Sequence, residues 1–292
     1  MNLENKIIDC KQIAAELEEK LLTAVQNLKA RNIHPTFATV LVGENPASQI
    51  YVKNKQKKAI TLGITNNLYH LSADTTEDEL LNLIASLNNN PQIHGIITQL
   101  PLPKHIDTTK IINAISPNKD IDGLHPINIG FLATQNSAGF APCTPLGCLH
   151  IIKTIYSDLA GKHAVVVGRS NLVGLPMMQL LLNNNATVSI THSKTANLAE
   201  ICKQADILVS AIGRANFINA SHIKKNALVI DVGINKIETD GISKITGDVN
   251  IEAVLPAVKA ITPVPKGVGL LTIMFLMSNV IKAATLNSSI PV

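Results

Sequence analysis

The sequence predicts an α/β protein of two domains, each built on a parallel sheet. Three observations carry this. The chain has 292 residues, which at roughly 150 residues per domain is two domains. Helical and strand patterns alternate along it, and βαβ material of this kind gives parallel sheets covered by helices on both faces. In the second half, buried-strand patterns recur about every 20 residues, the spacing of a doubly wound sheet.

The elements follow in order. Ile13, Leu17, Leu21, Val25 and Leu28 step by three or four, an amphipathic helix after a candidate cap at Asp9. The apolar run Phe37 to Val42 reads as a strand ending at Gly43. Ser48 to Leu62 reads as a helix with Gly63 as its C-cap. Thr76 and Glu79 form a capping box ahead of Leu80, Leu83, Ile84 and Leu87. His94 to Leu100 reads as a strand stopped by Pro101-Leu102-Pro103. After the turn-rich Ala141-Pro142-Cys143-Thr144-Pro145, strands are expected at 163–167, 186–190, 206–210 and 227–231. Helices are expected between them at about 172–183 and 195–204. A last helix, about 268–286, follows the loop Thr262-Pro263-Val264-Pro265 and is expected to return to the first domain.

Composition narrows the function. Hydrophobic residues make up 46% and charged residues 16%, enough to fill two cores, and with 3% aromatics these must rest on Ile, Leu, Val and Ala. Net charge is +4, and the one dense basic stretch, Lys53, Lys55, Lys57 and Lys58, lacks interleaved aromatics, which argues against nucleic acid. The longest apolar run, Leu270 to Ile281, is interrupted by Thr272, Ser278 and Asn279, and stops short of the ~20 residues that span a bilayer. The opening MNLENKIIDCKQ has neither apolar core nor cleavage site, so no secretory signal is expected. Cys10, Cys143, Cys148 and Cys202 form no CxxC pair and no metal grouping, and read as reduced thiols of a cytoplasmic protein. Cys143, in a loop signal, reads as a bystander.

One turn carries a cofactor signal. After strand 163–167 comes Gly168-Arg169-Ser170-Asn171-Leu172-Val173-Gly174, where amides and a helix N-terminus can face a pyrophosphate. It departs from G-x-G-x-x-G: Ser170 holds the second glycine's place and the last glycine comes one position late. NAD-binding domains carry an acid ~20 residues beyond the first glycine to hold the ribose hydroxyls. Here that strand ends in Thr191-His192-Ser193-Lys194, with no carboxylate to repel a 2′-phosphate and with Ser193, Lys194 and Arg169 able to bind one. The expected cofactor is therefore NADP. His192 reads either as a phosphate donor or as a solvated loop residue.

A series of motifs then resembles one family. These are Val42-Gly43-Glu44-Asn45-Pro46-Ala47-Ser48 with Tyr51 and Lys55, Gln99-Leu100-Pro101-Leu102-Pro103, and Pro117-Asn118-Lys119-Asp120-Ile121-Asp122-Gly123. Further along come Pro142-Cys143-Thr144-Pro145, Gly168-Arg169-Ser170 with Val173-Gly174 and Pro176, His192-Ser193, Asp231-Val232-Gly233-Ile234-Asn235, and Thr262-Pro263-Val264-Pro265. In this order, over nearly the whole chain, they resemble the bifunctional methylenetetrahydrofolate dehydrogenase/methenyltetrahydrofolate cyclohydrolases.

The resemblance implies two α/β domains around a cleft. Residues 1–139, completed by 270–292, would bind folate and carry catalysis, and 140–269 would form a Rossmann-like NADP-binding domain. It implies Lys55 as the catalytic lysine, with Tyr51 and Gln99 beside it, and Tyr51, Gln99, Asp122, Pro265 and Gly267 around the folate. Gly168, Arg169, Ser170, Ser193 and Ile234 would contact NADP, with no metal. It also implies a cytoplasmic homodimer in one-carbon metabolism, serving purine, methionine and histidine biosynthesis.

The residue types suit that chemistry. Tyr51 and Lys55, spaced i and i+4, share a helical face, as residues of a solvated basic face also would. A pterin presents a ring N–H beside an exocyclic amine, a donor pair that Asp122 can accept bidentately; an Asx-turn at Asp122-Gly123 would use the same residue. Gln99 ends a parallel strand, where open sheets place ligand contacts. Against the family's usual Pro-Val-Pro-Gly-Gly-Val-Gly-Pro-Met-Thr, this chain has Lys266 and Leu270 as departures, with Ala215 and Asn250 as two more. An NADP oxidoreductase of a small hydroxy or amino acid would want an acid/base group near the nicotinamide, and His192 is poorly placed for it. A catalytically silent nucleotide-binding regulator would have lost Lys55, Gln99 or Asp122.

Overall fold

The computed structural model describes residues 6–239 and 242–288. The first five residues of the segment read for a secretory signal lie outside this range. The chain groups into two compact units: Glu16–Cys143 with Ile273–Val292, and Met1–Ala15 with Thr144–Thr272. Residues 273–288 thus cluster with the N-terminal half, as expected for the final helix.

The first of these units holds a parallel three-stranded sheet, order β2-β1-β3, formed by β1 (Thr36–Val42), β2 (Thr65–Leu71) and β3 (Gly95–Thr98). α1 (Cys10–Lys29) begins where the Asp9 carboxylate accepts from the amides of Lys11 and Gln12, so the cap read from sequence is present. α2 (Pro46–Leu62) starts two residues earlier than expected, because Asn45 caps it through the Ser48 amide at 3.0 Å and Pro46 suits a first turn. It ends on Gly63 at φ 70°, the left-handed cap that glycine allows. α3 (Glu77–Asn89) carries the Thr76/Glu79 capping box with both reciprocal bonds. Leu80, Ile84 and Leu87 of α3 pack on Ala38, Val40, Val42 and Ile96 of the sheet, together with Ile111 of α4 (Thr108–Ala114). α5 (Pro126–Ala133) follows.

Sequence patterning missed β2, because this edge strand exposes most of its polar residues and shows no apolar alternation. It also misread 141–145. Cys143 is not in a loop but opens α6 (Cys143–Ile155), where Pro145 falls in the first turn and its missing N–H costs no helical bond.

The other unit is a doubly wound parallel sheet of order β10-β7-β6-β4-β5. Its strands are β4 (His163–Val167), β5 (Thr187–Thr191), β6 (Ile207–Ser210), β7 (Leu228–Asp231) and β10 (Ala260–Ile261). The four expected strands stand within a residue of their places. α7 (Gly174–Asn183) begins two residues late, and α8 shrinks to Leu198–Cys202, because Asn197 takes a left-handed φ of 52°. Val165, Val167, Leu208 and Val229 supply one apolar face, packed on Cys202, Ile218, Val254 and Val258. An antiparallel hairpin, β8 (Asn235–Thr239) and β9 (Ile242–Thr246), precedes α9 (Ile251–Val254), and none of the three was visible in the pattern. Asn250 caps α9 through the Ala253 amide, so its departure from a frequent acid preserves the capping acceptor.

The last helix, α10 (Val268–Ser288), corrects one expectation. Its stretch Val268–Asn287, at mean hydropathy 1.6, is long and apolar enough to cross a membrane by length and composition, and half of it is buried within the protein. One polar interruption of the apolar run, Asn279, is an inward tie, and Lys282 beyond the run is another. Asn279, 5% exposed, donates from Nδ2 to Ile121 O at 2.8 Å and Ala141 O at 3.2 Å, and Lys282 Nζ donates to Ser137 O at 2.8 Å. Replacing Asn279 by Leu should remove the amide donor from both carbonyls, leaving Ile121 O only the weak Cys143 thiol, and cost about 1–3 kcal/mol, read as a lowered urea midpoint. An unchanged midpoint would mean that these bonds contribute nothing net.

Candidate active site

In the three-stranded unit, the end of β3 faces one side of α2. The Gln99 amide donates to Val40 O at 2.8 Å, so the residue after the strand is still held in register. Its side chain is fixed at both ends: Nε2 donates to Leu100 O at 2.8 Å, and Oε1 accepts from Lys55 Nζ at 2.9 Å. The amide orientation is therefore unambiguous. Burial pulls the Lys55 ammonium below the ordinary lysine range, while the Asp122 carboxylate and then Cys143 act in the opposite sense. Desolvation dominates because the one direct partner, an amide oxygen, adds no negative charge. Tyr51, one turn before Lys55, is 40% exposed and stands on the open part of the same helical face.

Asp122 is placed by its neighbours in the 117–123 motif. Lys119, 7% exposed, inserts its Nζ among Leu87 O, Asn88 O and Asn90 O at 2.7–3.1 Å, closing the carboxyl end of α3 with a cation. The Asp120 carboxylate accepts from the His125 amide and from Asn128 Nδ2, both at 2.8 Å. Gly123 sits at φ 72°, and a Cβ there would meet Ala141 C at 2.5 Å. Two buried charged residues and a required glycine thus set the loop on which half-buried Asp122 stands. No signal in the sequence separated Lys119 and Asp120, which serve structure, from Asp122.

Cys143 completes this surrounding. It is buried, donates to Ile121 O at 3.4 Å, and lies 3.6 Å from Asn279 Nδ2. Burial, reinforced by Asp122, holds its thiol well above the usual range, so it is a poor nucleophile and remains a bystander.

The residues expected to contact the cofactor lie in the five-stranded unit. Gly168, at φ 120°, ends β4, and a Cβ there would fall 2.3 Å from Ala211 O. A Cβ on Gly174 would fall 2.1 Å from Gly168 O. The turn is therefore closed by two glycines, although their spacing is unusual. Ser170, in the place of the second glycine, serves the local structure, because its Oγ accepts from the Val173 and Gly174 amides at 3.2 and 3.4 Å and braces the turn that leads into α7. Its O–H stays available to donate outward. Arg169 is exposed beside it, and Ser193 and Lys194 are exposed after β5. His192 Nδ1 accepts from the Lys194 amide at 3.1 Å, which makes it the brace of that turn. The glycine cradle, the helix start that follows it and the absence of an acid at 191–194 all fit a dinucleotide bearing a 2′-phosphate.

Ile234, 53% exposed, lines a recess together with Pro265 and Gly267. Residues assigned from sequence to cofactor and to substrate thus share one wall. Gly267 admits no side chain, since a Cβ would meet Pro263 O at 2.0 Å. Lys266 departs in backbone as well as charge: it adopts φ 72°, a conformation glycine takes freely and other residues adopt at a cost of roughly 1–2 kcal/mol. Among the described residues no cluster of three or more His, Cys, Asp or Glu could hold a metal.

Comparison with known proteins agrees with this geometry. Residues 8–122 match the tetrahydrofolate dehydrogenase/cyclohydrolase catalytic domain, and residues 142–288 match the NAD(P)-binding domain of the same family. The bifunctional protein FolD 1 of Acinetobacter baylyi is 51% identical over 282 residues, covering 96% of this chain and 95% of its own. The crystal structure of the bifunctional methylenetetrahydrofolate dehydrogenase/cyclohydrolase from Campylobacter jejuni superposes with a TM-score of 0.92 at 45% identity, covering 95% of this chain and 98% of its own. The Trypanosoma brucei enzyme, solved with NADP and an inhibitor, superposes with a TM-score of 0.92 at 33% identity, covering 97% of this chain and 98% of its own. The chain belongs to the tetrahydrofolate dehydrogenase/cyclohydrolase family.

Proposed function

We propose that this protein oxidises 5,10-methylenetetrahydrofolate to 5,10-methenyltetrahydrofolate with NADP⁺ and hydrolyses that product to 10-formyltetrahydrofolate. The observation that carries the reading is the lowered, desolvated Lys55 amine bonded to a neutral amide, Gln99, with Asp122 in the same electrostatic neighbourhood. A fixed second cation here would repel the methenyl cation, and a carboxylate bonded to Lys55 would keep it protonated.

The groups divide the chemistry among them. Asp122 accepts the paired donors of the pterin, and Tyr51 borders the bridge carbon from the open side of α2. NADP⁺, when bound, accepts the hydride from the methylene bridge. Gly168, Arg169, Ser170, Ser193 and Ile234 would hold it, Arg169 and Ser193 through the 2′-phosphate and Ser170 through its hydroxyl at the pyrophosphate. Pro265 and Gly267 border the folate. In hydrolysis, Lys55 as neutral amine takes a proton from the water that adds to the methenyl carbon. The resulting ammonium gives that proton to N5 as the C–N5 bond breaks, and the adduct's hydroxyl proton is the one released. Gln99 keeps the amine oriented without changing its charge.

The same reading places the protein in the cytoplasm, in the one-carbon supply to purine, methionine and histidine synthesis, and its four cysteines are free and buried, as suits a reducing compartment. It also makes the protein a homodimer. In support, Leu175 (39%) and Leu182 (51%) stand exposed on α7 near the open edge strand β5, an apolar surface that a second copy would cover.

Two outcomes follow. NADP⁺ should be preferred to NAD⁺ by about tenfold or more, ~1.4 kcal/mol, and Arg169→Ala should erode the preference; equal use of both by the wild type would refute the 2′-phosphate assignment. Lys55→Met should lower cyclohydrolase turnover by ~10²-fold or more, with dehydrogenase activity falling less and methenyltetrahydrofolate accumulating. Arginine should not rescue it, because a guanidinium stays protonated. A mutant that clears methenyl absorbance at the wild-type rate would remove Lys55 from the mechanism.

A further inference from the structure

Two buried carboxylates at the carboxyl end of the five-stranded sheet have no part in the chemistry above. Asp231 ends β7 and is 3% exposed; Asp248, just after the β8–β9 hairpin, is fully buried. Polar groups of three loops converge on them. Asp248 Oδ2 accepts from the amides of Ile212 at 2.8 Å and Gly213 at 3.3 Å and from Ser210 Oγ at 3.3 Å. Its Oδ1 accepts from the Arg214 amide at 2.9 Å and Asn235 Nδ2 at 3.0 Å. Asp231 Oδ1 accepts from the amides of Gly233 and Asp248, both at 3.0 Å, and Oδ2 from Val249 at 2.9 Å. Three consecutive amides, 212–214, closing on one carboxylate form an anion nest already filled by the protein itself.

The packing leaves no slack. A Cβ on Gly233 would lie 2.2 Å from Asp248 Oδ1, and one on Gly247 would lie 1.9 Å from Asp231 Oδ2. Glycine at both positions lets the carboxylates reach the backbone, and the Asp248 amide bonded to Asp231 joins the two into one unit.

Their place in the sheet indicates what they serve. In doubly wound sheets the pyrophosphate lies at the first βα turn, here 168–174, and the adenosine ribose at the end of the following strand, here β5. β6 and β7 lie on the other side of β4, so the remaining half of the dinucleotide extends over their carboxyl ends, where loops 211–214 and 232–234 stand. We infer that Asp248, braced by Asp231, is a positioning residue that fixes these two loops as the seat of the nicotinamide half of the cofactor. The inference rests on the NADP reading above. It adds that affinity and alignment at the nicotinamide end depend on two carboxylates that touch neither cofactor nor folate.

Calorimetric binding of NADP⁺ and of 2′,5′-ADP, which lacks the nicotinamide half, separates the possibilities. For Asp248→Asn, whose amide turns a donor toward the 212–214 amides, NADP⁺ should bind about tenfold or more weakly, and dehydrogenase kcat should fall, since loop displacements on the order of 1 Å cost up to ~10²-fold. Binding of 2′,5′-ADP and cyclohydrolase turnover of supplied methenyltetrahydrofolate should stay at wild-type values. Parallel loss of both ligands and both activities would reduce Asp248 to a folding role and overturn the inference, as would unchanged NADP⁺ binding. Should Asp248→Asn not fold, Asn235→Ala decides, since it removes a single bond to Asp248 from a partly buried residue. A smaller loss for NADP⁺ alone supports the inference, and no difference overturns it. A wild-type protein that binds neither ligand would instead refute the cofactor reading itself, and the inference with it.

Discussion

The site depends on one interaction: a lysine amine held out of water by a partner that carries no charge. Lys55 Nζ donates to Gln99 Oε1 at 2.9 Å, and burial outweighs the opposing pull of Asp122 and Cys143. Had the sequence placed Glu at 99, Coulomb attraction would hold the ammonium protonated and end its use as a base. The arrangement has a thermodynamic consequence. The folded pKa lies below the unfolded one, so the folded state binds fewer protons wherever the two differ. Stability therefore carries the desolvation penalty at neutral pH and rises with pH between the folded value and about 10.4, the unfolded one. Burial of the Lys55 amine, which its proposed catalytic use requires, is a destabilising feature that the rest of the fold must offset.

The surrounding pieces do that with groups fixed to backbone. Lys119 closes α3, Asp120 ties His125 and Asn128, and Asn279 spans Ile121 and Ala141, so the loop bearing Asp122 is held from several directions. The five-stranded unit repeats the device, with Asp231 and Asp248 gathering loop amides where glycine permits close approach. Charge stands in two kinds of place in this protein: buried and satisfied to fix loops, and exposed at Arg169 and Lys194, where the proposed 2′-phosphate would lie.

Much of this was legible in the sequence, for physical reasons. Helix caps such as Asp9, Thr76 and Gly63 are local, and the structure forms each of them. Parallel strands buried on both faces stand out as apolar runs, which is why β4, β6 and β7 were placed nearly to the residue. The edge strand β2 and the hairpin β8–β9 lack such runs, and Pro145 disguised the start of α6 as a turn. Of the candidate site, i,i+4 spacing paired Tyr51 with Lys55 and the family resemblance put Gln99 beside the amine, and the fold supplies the bond between them across 44 residues. The roles of Lys119, Asp120, Asp248 and Asn279 depend on where distant carbonyls and amides end up, which no local pattern records. The apolar stretch around Leu270 was misjudged for the same reason, since Asn279 looked like an interruption and is an inward anchor.

The depressed basicity of the Lys55 amine can be measured directly. Labelling lysine side chains with ¹⁵N and following Nζ shifts against pH, with Lys55→Met to assign the resonance, reports the titration without any turnover. Lys55 should lose its proton below the ~10.4 of a free lysine, and Gln99→Glu should move the midpoint upward. A Lys55 midpoint at or above the free value in the wild type would contradict the depressed basicity.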